Sequence, residues 1–320
     1  MWRYVVKRIL WLIVVAIGTA FVIFTVLYFV PGDPADIALP LTATYEEKQA
    51  FRSSLGLNEP YYVQLGRYLY DTFIRFDFGT SWTYKVSVVQ ELLNRIPRTV
   101  LLSCITLFIG AVIGLPLGIH AALHQNRWQD HTLMALAMVG VSMPEFWLAL
   151  MLVLLFCLKL NILPAFGIGS PAHWILPVTA GSVAGIAKNA RQMRSSTLET
   201  IRSDFISTAK AKGLPKNQNQ VIYRHMLPNA LIPIINILGA QFGKSIGGTV
   251  VLESVFTFPG VGLYLLTSIN TRDYPAVRSS VLILALFAAV VMLIVDLVYA
   301  CIDPRIKAQY AASGKGGKNK

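Results

Sequence analysis

The run ILWLIVVAIGTAFVIFTVLYFV, residues 9–30, carries no charged side chain over 22 positions. The hydrocarbon core of a bilayer takes about 20 apolar residues of helix to cross, and inside it the backbone must satisfy its own hydrogen bonds. Length alone therefore makes this run a membrane span. Arg3, Lys7 and Arg8 stand before it, as in a secretion signal. A signal's apolar region is only about 7–15 residues long and closes on small residues. This run closes on Pro31-Gly32-Asp33-Pro34, so an uncleaved anchor is expected.

Working outward, the same reading finds five more spans. Residues 99–119 are 21 positions without a charge. Residues 133–158 are apolar apart from Glu145, residues 229–252 apart from Lys244, and residues 279–302 until Asp296. Residues 174–190 are the weakest, diluted by Gly181, Ser182, Gly185 and Lys188. Such a span suits a place among other helices better than one facing lipid. The expected fold is an all-α membrane protein with about six transmembrane helices. Composition agrees: of 320 residues only 14% are charged, against roughly a quarter in soluble domains. The net charge of +12 then bears on topology and not on nucleic acid. Cys104, Cys157 and Cys301 lie far apart in apolar runs and have neither metal nor redox spacing.

Six spans put both termini on one side, and the basic residues choose it. Residues 188–228 hold eight basic side chains against two acids, and the tail 303–320 five against one. Residues 31–97 hold six basic and eight acidic, and residues 253–278 two of each. Lys and Arg accumulate on the cytoplasmic side, so both termini and segment 188–228 are expected there. The chain then divides into residues 1–30, a cytoplasmic N-terminus with the first span, and residues 31–97, an extracytoplasmic segment. A five-helix core, residues 98–302, and a basic cytoplasmic tail, residues 303–320, follow. Within residues 31–97, Thr44-Tyr45-Glu46-Glu47 has the form of a capped helix start. The aromatic-rich stretch 61–78 suggests an amphipathic helix along the membrane surface. Glycines at four-residue spacing (Gly110, Gly114, Gly118; Gly181, Gly185; Gly239, Gly243, Gly247) predict faces where helix backbones approach closely. They place the second, fourth and fifth spans at the bundle centre.

The cytoplasmic stretch 201–233 carries the function. Ser203 is positioned to cap a helix whose first turn holds Asp204. Gly213 and Pro215 end it in the order usual for a C-cap. A short helix with small side chains and basic flanks suits docking into a partner's groove, although a solvated connector is the plainer alternative. At this point the chain resembles a known family. Asp204-Phe205-Ile206-Ser207-Thr208-Ala209-Lys210-Ala211-Lys212-Gly213-Leu214 followed by His225-Met226-Leu227-Pro228-Asn229-Ala230 is similar to the coupling-helix motif of binding-protein-dependent ABC importer permeases, in the dipeptide, oligopeptide and nickel branch. Pro31-Gly32-Asp33-Pro34, Val141-Ser142-Met143-Pro144, Phe258-Pro259-Gly260, Arg272-Asp273-Tyr274-Pro275 and Asp303-Pro304-Arg305 agree in order and position. The family's Glu-Ala-Ala-x-x-x-Gly falls on Ser207, Thr208, Ala209 and Gly213, so only Ala209 and Gly213 match.

The resemblance implies the type I importer architecture, in the inner membrane of a prokaryote. It implies as partners a second homologous permease, two cytoplasmic ATPases and an extracytoplasmic binding protein. Asp204, Ser207, Thr208, Ala209 and Gly213 would couple to the ATPases, which would bind ATP and Mg; no cofactor is expected in this chain, and no enzymatic activity. In agreement, the sequence has no G-x-x-x-x-G-K-[ST] phosphate loop. The cargo implied first is a di- or oligopeptide, with nickel or a metal chelate as the alternative. A stand-alone channel or secondary transporter is the reading from another class, but the inverted halves common in such transporters are not seen. Intramembrane catalysis lacks H-E-x-x-H and G-x-S-x-G. One expectation belongs to this sequence rather than to its family. Glu145 and Lys244 lie 13 and 15 residues from the cytoplasmic ends of their spans. At 1.5 Å per residue both reach a depth of roughly 20 Å. Charges in a bilayer face the bundle interior or pair with one another, so the two are candidates for an interior pair on the pathway.

Overall fold

The structure, a computed structural model, describes residues 2–40, 42–211 and 221–302. Regular structure among them is helical, apart from one isolated antiparallel bridge between Thr80 and Ser87. The chain divides into two compact units, Met1–Val100 with Thr257–Val290, and Leu101–Phe256 with Val291–Lys320.

The first unit begins with α1 (Trp2–Phe29), followed by the short α2 (Pro34–Ala38), α3 (Tyr45–Ser54) and α4 (Tyr61–Phe73). Each small helix is started by its sequence. The Asp33 carboxylate accepts from the Ala35 N–H at 3.0 Å and is clamped by Arg52. Thr44 and Glu47 form a reciprocal capping box, as their spacing predicts. α4 makes tertiary contacts on one face. Its side chains Tyr61, Leu65, Tyr68 and Leu69 pack on Ala20 and Phe24 of α1, and on Leu282. Tyr61 and Tyr68 are spent on this contact, whereas Tyr62 and Tyr70 of the same helix stay exposed.

The first unit also holds the start of α5 (Val88–Leu123), α11 (Val261–Asn270) and the start of α12 (Tyr274–Ile302). Val88 and Leu92 meet Val261, Tyr264 and Ala276 in its core. The fully buried Asp273 ties this core to the loop before α5. It accepts from the Ser81 hydroxyl at 2.5 Å, the Thr83 N–H at 3.0 Å and, as the cap of α12, the Ala276 N–H at 3.3 Å. The family-like tetrapeptides Pro31–Pro34 and Arg272–Pro275 are thus structural clamps. Arg272 adds a bond to the Pro31 carbonyl at 3.4 Å.

The second unit is built around α8 (Ala172–Ile201), with buried residues along most of its length. The rest of α5, α6 (Trp128–Ser142), α7 (Glu145–Leu152, continuing as a π-turn over Val153–Lys159) and α10 (Leu227–Val255) belong to the same unit. Among the described residues, four helices are long and apolar enough to cross a membrane: Arg8–Phe29, Val88–Leu123, Arg224–Ser245 and Tyr274–Val295. A fifth arises if Trp128–Ser142 and Glu145–Lys159 count as one span, but they meet at 95°. The single straight span expected over residues 133–158 is therefore broken. Pro144 forces Met143 out of helical geometry, to ψ 124°, and the chain turns there. The weak span 174–190 lies within α8 and does not reach the apolar composition of the others. Asn189 is buried in it, whereas Lys188 and Arg191 stay exposed.

The glycine ridge of α5 does what its spacing predicts. A Cβ on Gly114 would lie 2.6 Å from the Ile186 carbonyl oxygen, and one on Gly118 2.3 Å from that of Ala190. Backbone meets backbone along this seam. On α10 the ridge is divided. Gly239 and Gly243 lie against Val295 and Met292 of α12, whereas Gly247 and Gly248 have open space beside them.

Candidate functional site

The segment expected to couple to a partner forms α9 (Asp204–Ala211), a helix of eight residues. Ser203 starts it, though not by the side-chain cap expected. Its hydroxyl donates to the Thr200 carbonyl at 2.5 Å, and its own carbonyl accepts from the Ile206 N–H at 3.1 Å. The last carbonyls of α8 offered that hydroxyl a nearer partner than the new helix did. Gly213, with Lys212 and Pro215, lies outside the described residues. Among the described residues of α9, Ile206 is the buried side chain, packed against Ile201, Val221, Ile222 and Met226. Asp204, Phe205, Ser207 and Thr208 are exposed and Ala209 is half-buried. A helix pinned on one face, with an exposed aromatic, small hydroxyls and an acid at its positive end, has the form of a docking element.

Ile206 anchors α9 to the π-turn Ile222–Met226 that leads into α10, and Ser203 anchors it to the end of α8. Those two long helices are in turn joined. Ser196 donates to the Ala230 carbonyl at 2.7 Å, Gln241 to Asn189 at 2.9 Å, and Met193 packs with Ala230 and Ile234. Side-chain hydrogen bonds between helices and small contact residues are how membrane helices associate. α9, α8 and α10 therefore form one mechanical unit. α8 is held to α6 by an ion pair that span reading did not find. Arg194 reaches Asp130 with two bonds, at 2.5 and 2.6 Å, and Asp130 is 1% exposed. The Asn126 N–H also donates to that carboxylate, at 3.1 Å. The partners are 64 residues apart, so no local spacing announces them.

Glu145 and Lys244 are not brought together. Among the described residues no ion pair joins them. Glu145 is the first residue of α7, half-buried, with its carboxylate beside Gly181 of α8. The cation whose charge acts on it is Lys188, two turns further along α8. Lys244 is exposed on α10, on the stretch that includes Gly247 and Gly248. The chain turns by 95° immediately before Glu145, so residues 146–158 leave the line of the preceding helix.

Two family models cover the chain. Residues 114–308 match the binding-protein-dependent transport system inner membrane component, and residues 1–103 match the N-terminal part of the same component. A dipeptide transport system permease protein of Alkalihalophilus pseudofirmus is 39% identical, over 96% of this chain and all of that protein. A glutathione transport system permease protein of Salmonella paratyphi A is 36% identical, over 96% and 99% of the two chains. Among solved structures, an inward-facing MetNI methionine ABC transporter aligns with a TM-score of 0.58 at 17% identity, over 67% of this chain and 97% of that one. An amino acid ABC transporter aligns at 0.51 and 15%, over 68% and 94%. These structural likenesses bear on the fold alone. With both family models matched in sequence order, the chain belongs to the inner membrane components of binding-protein-dependent transport systems: it is a multi-pass permease subunit of an ABC importer.

Proposed function

We propose that this permease forms half of the pathway of an ATP-driven importer of di- and oligopeptides. The second half is a homologous permease, two ATPase subunits bind ATP and Mg in the cytoplasm, and an extracytoplasmic binding protein delivers the cargo. Both termini and α9 face the cytoplasm, in line with the basic excess of residues 188–228 and 303–320. The observation that carries the reading is the near full-length similarity to a dipeptide permease, joined to an α9 that one buried isoleucine holds while its other side stays exposed. In this reading the ATPases close on Asp204, Ser207, Thr208 and Ala209. The push passes through the Ser203 and Ile206 anchors to α8 and α10 together. Gly213 ends the coupling helix and lets the chain turn away.

Glu145 and Lys244 line the pathway in this account, from α7 and α10. Their electrostatic partners are distinct, as the field of Lys188 on Glu145 suggests. A double-mutant cycle on cargo uptake separates the cases. Glu145→Gln with Lys188→Met should be non-additive by at least fivefold, whereas Glu145→Gln with Lys244→Met should be additive. Coupling to Lys244 alone would instead mean that α7 and α10 bring their charges together during transport.

The cargo is tested by uptake of a labelled dipeptide and of nickel in cells with and without this chain. Dipeptide uptake should fall to background on deletion while nickel uptake is unchanged. The reverse result would assign the metal as cargo.

A further inference from the structure

The first unit contains a cavity of about 770 Å³ at the outer end of α1. That is within the range of about 300–1,000 Å³ typical of small-molecule sites. Its walls are aromatic, with Phe24, Tyr28, Trp82 and Tyr274 among them. Five charged side chains also line it, and four of them are engaged. Asp33 is paired with Arg52, Arg67 donates to Glu59 at 2.7 Å, and Asp71 lies 3.5 Å from Arg75. The fifth is Arg278, in the second turn of α12.

Arg278 has its guanidinium carbon 4.8 Å from the centre of the Tyr68 ring. Its Nε is buried and has no hydrogen-bond partner, and among the described residues no ion pair reaches the group. The carboxylates whose charge it feels are occupied elsewhere. Asp77 accepts from the Gly79 N–H at 2.8 Å, Asp273 from Ser81, Thr83 and Ala276, and Asp71 is the partner of Arg75. Tyr68 does not neutralise it either, because burial pushes the phenol above its ordinary value and keeps it protonated. A guanidinium stacked on a ring has one face covered and its edge donors directed outward in a fork, the geometry that takes an oxyanion in two bonds. Arg278 is half-buried and has no bonded anion among the described residues, and a ligand bringing the anion would complete it with charge-assisted bonds.

We propose that this cavity binds a small oxyanion, a carboxylate or phosphate on an apolar body, with Arg278 as the anion seat and the aromatic wall as the seat of the apolar part. The two sources of that chemistry on this side of the membrane are a soluble carboxylate, such as the end of a short peptide, and a phospholipid headgroup. The inference does not depend on which cargo the permease carries.

The test uses the full chain purified into phosphatidylcholine nanodiscs, with Trp82 fluorescence as reporter and Trp82→Phe as the blank. Ala-Phe should give a saturable change, weakened at least tenfold in its C-terminal amide and at least tenfold by Arg278→Gln. In a parallel arm, phosphatidylglycerol carried through purification is counted by native mass spectrometry, and retention lost in Arg278→Gln would assign the lipid as the source. Ser54→Trp narrows the cavity from its wall and leaves the guanidinium in place. It should weaken whichever ligand binds even if Arg278→Gln does not fold. The proposal is overturned if neither probe binds saturably, or if binding ignores both substitutions.

Discussion

Replacing Arg194 by methionine should destabilise the purified permease by about 3 kcal/mol, the lower end of the cost of breaking a buried ion pair. The reason is the partner left behind. Asp130 is almost fully enclosed, and after the substitution it keeps only the Asn126 N–H as donor. A carboxylate in that position must take up a proton or draw in water, and either opens the contact between α6 and α8. The double substitution Asp130→Leu with Arg194→Met should recover most of the loss, since two apolar groups of similar size remove the uncompensated charge. Thermal unfolding in detergent, followed by gel filtration, reads both effects. A single Arg194→Met variant as stable as the parent would mean that the pair contributes little to holding the second unit together.

The second large effect is expected at Gly118. A Cβ there would stand 2.3 Å from the Ala190 carbonyl oxygen and 2.8 Å from the Met193 Cβ, neither of which is the free end of a flexible side chain. Leucine at this position must push α5 and α8 apart, and the seam through Gly114 opens with it. Overpacking of this kind costs about 3 kcal/mol or more. The control lies on the other ridge. A methyl group added at Gly247 would meet nothing within 4 Å. Gly247→Ala should therefore cost nothing and, as alanine does in a helix interior, raise stability by up to about 1 kcal/mol. Measured melting temperatures that fall equally for Gly118→Leu and Gly247→Ala would show that spacing alone, and not backbone contact, explains the glycines.

These two sites show how far the sequence reaches. Period and length are local properties, so the charge-free runs, the Thr44–Glu47 capping box and the Gly110–Gly118 face are all legible. The break at Met143-Pro144 is legible too, since a residue before proline leaves helical geometry, yet the apolar run on both sides hides it. That one turn redirects α7 and leaves the Glu145 carboxylate beside Gly181 of α8. The Asp130–Arg194 pair and the Asp273 clamp join residues 64 and about 190 positions apart, and no single-chain pattern reports contacts of that range. An amphipathic face such as that of residues 61–78 looks the same whether lipid or another helix covers it, so the contacts of Tyr61 and Tyr68 with α1 are not legible in the sequence. Composition records the need for burial and not the partner. For the coupling segment, the helix and its start are legible, but the anchor through Ile206 requires the fold.

The central claim is that ATP used outside this chain moves cargo through it by way of α9. The direct measurement is uptake of a labelled dipeptide into proteoliposomes holding the assembled transporter, with the binding protein on one side and ATP on the ATPase side. Uptake should require ATP and the binding protein. Breaking the anchor with Ile206→Asp should abolish uptake and leave ATP hydrolysis running. Uptake that proceeds without ATP, or that survives the loss of the Ile206 anchor, would contradict the account.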